Sequence, residues 1–257
     1  MRRALGALGV AAVVGAGVLT AATPGAAGVP ARPKPTVVLV HGAFEDASAW
    51  APVTRRLLAE HYPVLVPAVP LRGVAADVAS LRGVLDSVPG PKILVGHSYG
   101  GLLISELAGT TADVKALVYA AAFIPQAGET AGQLNSQFPG SLLGPSTTHA
   151  VGPELFVNQA SYPALFAAGL PPLDTAVAAA GQRPILAAAF DEQIASTAPA
   201  GIPKYALVAT RDQAIPPAAE RFEARRAQAA VTEVDSPHAI ATAAPTAVVD
   251  VIHRASR

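Results

Sequence analysis

Gly96-His97-Ser98-Tyr99-Gly100 sets a serine between the apolar run Lys92 to Val95 and the helix-like stretch Gly101 to Leu107. A serine hydroxyl is a weak nucleophile until it is exposed, given a base and faced with amide donors for a developing oxyanion. A strand-to-helix corner supplies the exposure, and glycines on either side let other backbone pass close to a tight turn. The pentapeptide alone also fits an ordinary turn in a chain this rich in small residues. Two later residues add weight: Asp212 follows the run Lys204 to Thr210, and His238 follows the run Ala230 to Asp235. Polar residues just beyond strand ends are the ones an open α/β sheet brings to a ligand. Their chain order is nucleophile, acid, histidine, the order expected when the serine sits on such a corner. Asp235 competes with Asp212 for the acid's role, being close to His238 in sequence, but it ends a strand.

Composition narrows the chemistry. With 51% hydrophobic and 14% charged residues over 257 positions, the chain can bury a sizeable core as one domain or one domain with an insertion. The formal net charge is zero and no long basic run occurs, so nucleic acid is not an expected partner. Cysteine is absent, which removes disulfides and thiolate chemistry. No His and carboxylate cluster has metal-site spacing, and Gly96 to Gly101 lacks the G-x-G-x-x-G of a dinucleotide site. No cofactor or metal is expected.

Residues 1–31 read as a signal peptide and processing region: Arg2 and Arg3, an apolar stretch from Ala4 to Ala22, then small residues and prolines. Gly25 and Ala27 suit a cut after Ala27. The apolar stretch is nearly long enough for a retained anchor. Its glycines and the small residues behind it favour removal, so a secreted protein without a lasting membrane anchor is expected.

The elements that must hold Ser98, Asp212 and His238 follow from periodicity. Six nearly continuous apolar runs predict strands: Thr36 to His41, Pro63 to Pro67, Lys92 to Gly96, Val114 to Ala121, Lys204 to Thr210 and Ala230 to Asp235. Continuous apolar strands suit a sheet covered on both faces. Helices are predicted over Ser48 to His61, Val74 to Val88, Tyr99 to Ala108, Pro216 to Ala229 and Pro245 to Arg254, with Ser48 at an N-cap and Pro216-Pro217 in a first turn. Alternation of strand and helix implies an α/β, mostly parallel sheet. Between about residues 124 and 203 no convincing strand is seen; Leu173 to Gly181 and Ile185 to Ile194 look helical, and the interval reads as a helical lid insertion in a domain spanning 32–257. Asp191 and Glu192 in that lid are expected to be solvated.

From Pro35 onward the chain resembles the α/β-hydrolase fold. Val38-Leu39-Val40-His41-Gly42-Ala43-Phe44, the serine corner, Leu207 to Asp212 with Ile215-Pro216-Pro217, and Ser236-Pro237-His238 are similar to the small esterase-like branch that includes plant methyl-salicylate esterases and hydroxynitrile lyases. The resemblance implies Ser98 as nucleophile, His238 as general base and acid, and Asp212 as its orienting partner. It implies an oxyanion site on the backbone N–H groups of Ala43 and Tyr99, with His41-Gly42 shaping the loop. Hydroxynitrile lyases of the branch carry a threonine at the place of Gly42 and a lysine at that of Ala239, so ester hydrolysis is the expected reaction and a small ester the expected partner. A lactonase, a thioesterase or a ligand-binding homologue uses the same scaffold and stays open. His97 is expected to be packed or hydrogen-bonded under the turn, and Phe44, Phe123, Leu134, Phe138 and Phe166 are candidates for an apolar pocket.

Overall fold

Six of the apolar runs pair into one all-parallel sheet. They are β1 (Thr36–Val40), β2 (Val64–Leu65), β3 (Lys92–Ser98), β4 (Val114–Ala122), β8 (Lys204–Ala209) and β9 (Ala230–Val234), in the spatial order β2-β1-β3-β4-β8-β9. The computed structural model describes Gly9 and residues 33–257. The leader expected at 1–31 therefore lies, apart from Gly9, outside the described residues.

The strands are apolar throughout because both faces are covered. Val38, Val40, Leu94, Leu117 and Tyr119 enter one core with residues of α2 (Val74–Asp86), α3 (Gly100–Leu107) and α7 (Pro217–Arg226). Val37, Leu39, Ile93, Val95 and Val118 enter the other, with α1 (Ala51–Ala59), α8 (Ile240–Ala243) and α9 (Pro245–Ala255). Successive strand residues point to opposite faces, so adjacent valines and leucines feed two separate cores. The edge strand β9 is the least buried of these longer strands.

Helix starts follow local chemistry with one difference from expectation. The first helical segment opens with a 3-10 turn, Ala47–Trp50, whose cap is Asp46; its side chain accepts from the Ser48 N–H at 2.7 Å. Ser48 lies inside the turn it was expected to cap. Pro217 opens α7, where a missing N–H loses no bond.

The insertion differs more. Between β4 and β8 it holds α4 (Ala131–Ser136), α5 (Tyr162–Phe166) and α6 (Pro172–Ala180), and also a three-stranded antiparallel sheet. Its strands are β5 (Thr148–Val151), β6 (Glu154–Val157) and β7 (Ile185–Leu186). The expected helix over Ile185 to Ile194 is instead β7 followed by a 3-10 turn, Ala187–Phe190. These strands escaped the periodicity because each spans two to four residues and β7 finds its partner in β6 some thirty positions earlier. Gly152, at φ +60°, turns the β5–β6 hairpin.

Glu192 is also not simply solvated. Its carboxylate accepts from the backbone N–H groups of Val74 at 2.7 Å and Ala75 at 2.9 Å, so the insertion caps the N-terminus of α2. Asp191 beside it is exposed, as expected.

Candidate active site

Ser98 ends β3 near the centre of the sheet and holds φ +52°. A left-handed conformation is unfavourable for a residue with a Cβ, and here the surrounding backbone enforces it. A Cβ on Gly96 would come within 2.6 Å of the Gly100 carbonyl oxygen, and one on Gly100 within 2.6 Å of the Val40 carbonyl oxygen. Only glycine lets the corner fold this tightly. In β4 the register with β3 slips between His97 and Ser98, and the extra residue, Ala121, takes φ +46°.

The loop after β1 comes against this corner from the other side. A Cβ on Gly42 would lie 2.8 Å from the Ser98 Cβ. His41 fixes the loop: its Nε2 accepts from the Val69 N–H at 2.9 Å, leaving Nδ1–H to donate to the Gly42 carbonyl oxygen at 2.9 Å. Burial pushes its pKa down, in keeping with this neutral form. His41 is thus a structural brace with both nitrogens occupied. Among the described residues, no backbone or side-chain acceptor engages the N–H of Ala43 or Tyr99. The Tyr99 ring is anchored by its hydroxyl, which donates to the Asp77 carboxylate at 2.9 Å.

The structure brings His238 and Asp212 together, with no hydrogen bond between Ser98 and His238. His238 Nδ1 lies 2.5 Å from Asp212 Oδ2, and both side chains are fully buried. Asp212 Oδ1 accepts from the N–H groups of Ala214 at 2.7 Å and Ile215 at 2.8 Å, which offsets its desolvation. Nδ1–H donation to a carboxylate fixes the tautomer and leaves Nε2 as the ring's acceptor. That Nε2 is buried with no hydrogen-bond partner among the described residues. Asp235, the competing acid, instead pairs with Arg211 at 2.5 Å, with its side chain 83% exposed.

His97 bridges to this assembly. Its ring centroid is 4.6 Å from that of His238, and its Nε2 is 2.9 Å from the His238 carbonyl oxygen. Its Nδ1 meets Glu45 Oε2 at 2.7 Å, so it is hydrogen-bonded under the turn as expected, with a partner the sequence reading passed over. Two further acids were passed over on α7. Glu220 is buried with its carboxyl against Asp212, and its Oε2 accepts from the Ala209 N–H at 3.1 Å. Burial first, then the Asp212 charge, raises its pKa well above its ordinary value. Glu223 accepts from the Ile124 N–H at 2.6 Å, and burial pushes its pKa up to about 8. The available signal was their i, i+3 spacing on one helix face.

Aromatic side chains roof the site. Phe166 meets His238 edge-on at 4.9 Å and Phe44 at 6.1 Å, while Phe44 stacks on Phe190 at 6.2 Å. Next to them a cavity of about 550 Å³ is bounded by Phe123, Phe138, Leu155 and Phe190. Leu134 is buried in the adjoining core. Among the described residues, no group of His, Cys, Asp and Glu side chains could hold a metal ion.

A parallel sheet carrying a strained serine corner, with an Asp-held histidine beside it, defines the class of scaffold. The chain belongs to the Alpha/beta hydrolase family, which it matches over residues 37–251. It is 32% identical over 106 residues to a carbendazim hydrolyzing esterase of Nocardioides sp. (strain SG-4G), across 36% of this chain and 44% of that protein. The chain thus matches less than half the length of that relative. Its fold is similar to that of a pyrethroid hydrolase from Sphingobium faniae JZ-2, with a TM-score of 0.69 and 21% identity over 86% of this chain and 96% of the other. It is likewise similar to a methylesterase from Arabidopsis, with a TM-score of 0.69 and 20% identity over 86% and 98%. Tomato methylketone synthase I gives a TM-score of 0.74 at 19% identity over 86% and 99%.

Proposed function

We propose that this protein is a serine carboxylesterase that cleaves small, fairly hydrophobic esters through an acyl-enzyme intermediate. The observation that carries the reading is the buried His238 ring, held at Nδ1 by Asp212 and left with a free Nε2 beside the serine corner. In this scheme His238 takes the Ser98 proton as Oγ attacks the ester carbonyl. The tetrahedral oxyanion is received by the N–H groups of Ala43 and Tyr99. Collapse expels the alcohol, which takes the proton back from His238; water activated by His238 then releases the acid. Asp212 stabilises the imidazolium at each stage.

The hydrophobic preference rests on the Phe44, Phe166 and Phe190 roof and the neighbouring apolar cavity. The esterase and hydrolase names of the relatives agree with ester cleavage. On the same reading residues 1–31 are a leader removed on export, which the N-terminal sequence of the protein recovered outside the cell checks. Ser98→Ala tests the chemistry. Turnover of short p-nitrophenyl esters is expected to fall by several orders of magnitude, and a fluorophosphonate probe is expected to label the native protein at Ser98 alone. Native-rate hydrolysis by the variant would refute the assignment, and failure to label would favour a ligand-binding role.

A further inference from the structure

Beneath the serine corner lies a buried pair that the ester-cleaving scheme leaves unused. Glu45 belongs to the loop after β1, His97 to the end of β3, and the carbonyl that His97 meets belongs to His238 after β9. Glu45 Oε2 is also within 3.3 Å of the Gly42 N–H, the residue before the proposed oxyanion donor Ala43. Two side chains therefore link three segments that are far apart in sequence.

The hydrogen-bond partners decide how the protons are arranged. A carbonyl oxygen can only accept, so His97 Nε2 carries a proton and donates to His238. At Nδ1 the ring either donates to a carboxylate or accepts from a carboxylic acid. The Gly42 N–H points to the same carboxyl oxygen and favours the anion, leaving His97 doubly protonated. The side chains are 3% and 6% exposed, so water does not compete. Burial by itself opposes both charges; the partner's charge and hydrogen bond outweigh it, lowering Glu45 and raising His97. Among the described residues, the other titratable groups facing the pair are His41, Tyr162, His238 and Asp212, and Trp50 meets the His97 ring edge-on at 6.3 Å.

We propose that Glu45 and His97 form an ionic clamp of positioning residues, tying the oxyanion loop through Gly42 to the histidine-bearing loop through the His238 carbonyl. The inference rests on the esterase reading for what is positioned, but not for the existence of the clamp. Because the pair is neutral overall, it braces His238 without adding net charge beside it. A displacement of about 1 Å between base, nucleophile and oxyanion donors is enough to lower turnover roughly a hundredfold.

The test has one arm in activity and one outside it. With a p-nitrophenyl ester, Glu45→Ala and His97→Ala are each expected to lower kcat by about 10- to 100-fold with little change in KM, and the double variant to fall no further than the worse single. Glu45→Gln can set its amide nitrogen at the Oε2 position to donate to Nδ1 but then cannot accept there from Gly42, so it is expected to recover only part of the loss. Independently of turnover, 15N NMR of the histidine rings is expected to show His97 protonated at both nitrogens at pH 7 in the native protein and at one in Glu45→Gln. Single variants at the native rate, or losses that multiply in the double variant, would overturn the clamp. So would a singly protonated His97 in the native protein. Where an alanine variant does not fold, Glu45→Gln and the native ring signals decide. A Ser98→Ala control with full activity would remove the esterase reading while leaving the ring measurement to judge the clamp.

Discussion

Replacing Glu223 by glutamine should stabilise the protein near neutral pH and destabilise it slightly in acid. The Glu223 carboxyl is buried on α7, accepts the Ile124 N–H, and has its pKa pushed by burial from 4.5 to about 8. A carboxyl whose folded pKa is raised binds a proton in the native state that the unfolded chain releases. Its contribution is fully present below pH 4.5 and is lost as pH rises to about 8. At about 1.4 kcal/mol per unit, holding this proton at pH 7 costs about 3 kcal/mol. The glutamine carbonyl can still accept from Ile124, and nothing titrates. Glu223 Oε1 has no partner among the described residues, so the amide nitrogen that replaces it leaves a donor unpaired, at a cost of about 1 kcal/mol. The net gain at pH 7 is about 2 kcal/mol, near 4–8 °C in Tm for a domain of this size. Arg226 and Glu129, the charged neighbours, are present in both proteins and cancel to first order. Urea unfolding of both proteins at several pH values checks this. The stability difference should change by about 4 kcal/mol between pH 4.5 and pH 8 and reverse sign in between. Parallel stability curves would show that Glu223 ionises normally in the fold and that the argument from burial is wrong.

Gly42→Ala puts a Cβ 2.8 Å from the Ser98 Cβ and 3.2 Å from the His97 carbonyl oxygen, so the loop carrying the Ala43 N–H must move. Ester turnover is expected to drop by about 10² to 10³-fold, the loss typical of one oxyanion donor, with KM little changed; an unchanged kcat would remove Ala43 from the scheme. Glu192→Ala deletes the carboxylate that caps α2 from the insertion. Stability is expected to fall by about 1 kcal/mol, with faster hydrogen exchange at Val74 and Ala75, and unaltered exchange there would show the contact to be idle in solution.

The main sheet was legible because its strands are apolar on both sides, a pattern that half-exposed strands lack. The meeting of His238 with Asp212 was legible because strand ends converge, whatever the loops between them do. The antiparallel strands of the insertion were not, since two to four residues carry no period and β7 pairs across a long interval. The three buried acids escaped for another reason. A glutamate in a helix or loop reads as solvent-facing, and only tertiary context reveals that Glu45 is matched by His97 while burial raises the pKa of Glu220 and Glu223. Glu192 was read as solvated on the same grounds, yet it serves a helix more than a hundred residues away.

The placement of His238 after β9 has a consequence for how the molecule comes into being. Among the described residues β9 pairs with β8 alone, at the margin of the sheet, and His238 follows it in the chain. A chain emerging from the ribosome can build β1, β3, β4 and the serine corner long before His238 is made. On the esterase proposal, Ser98 would then take its place before its partner does, and the two would meet only when β9 docks on β8 and the His238 carbonyl closes onto His97.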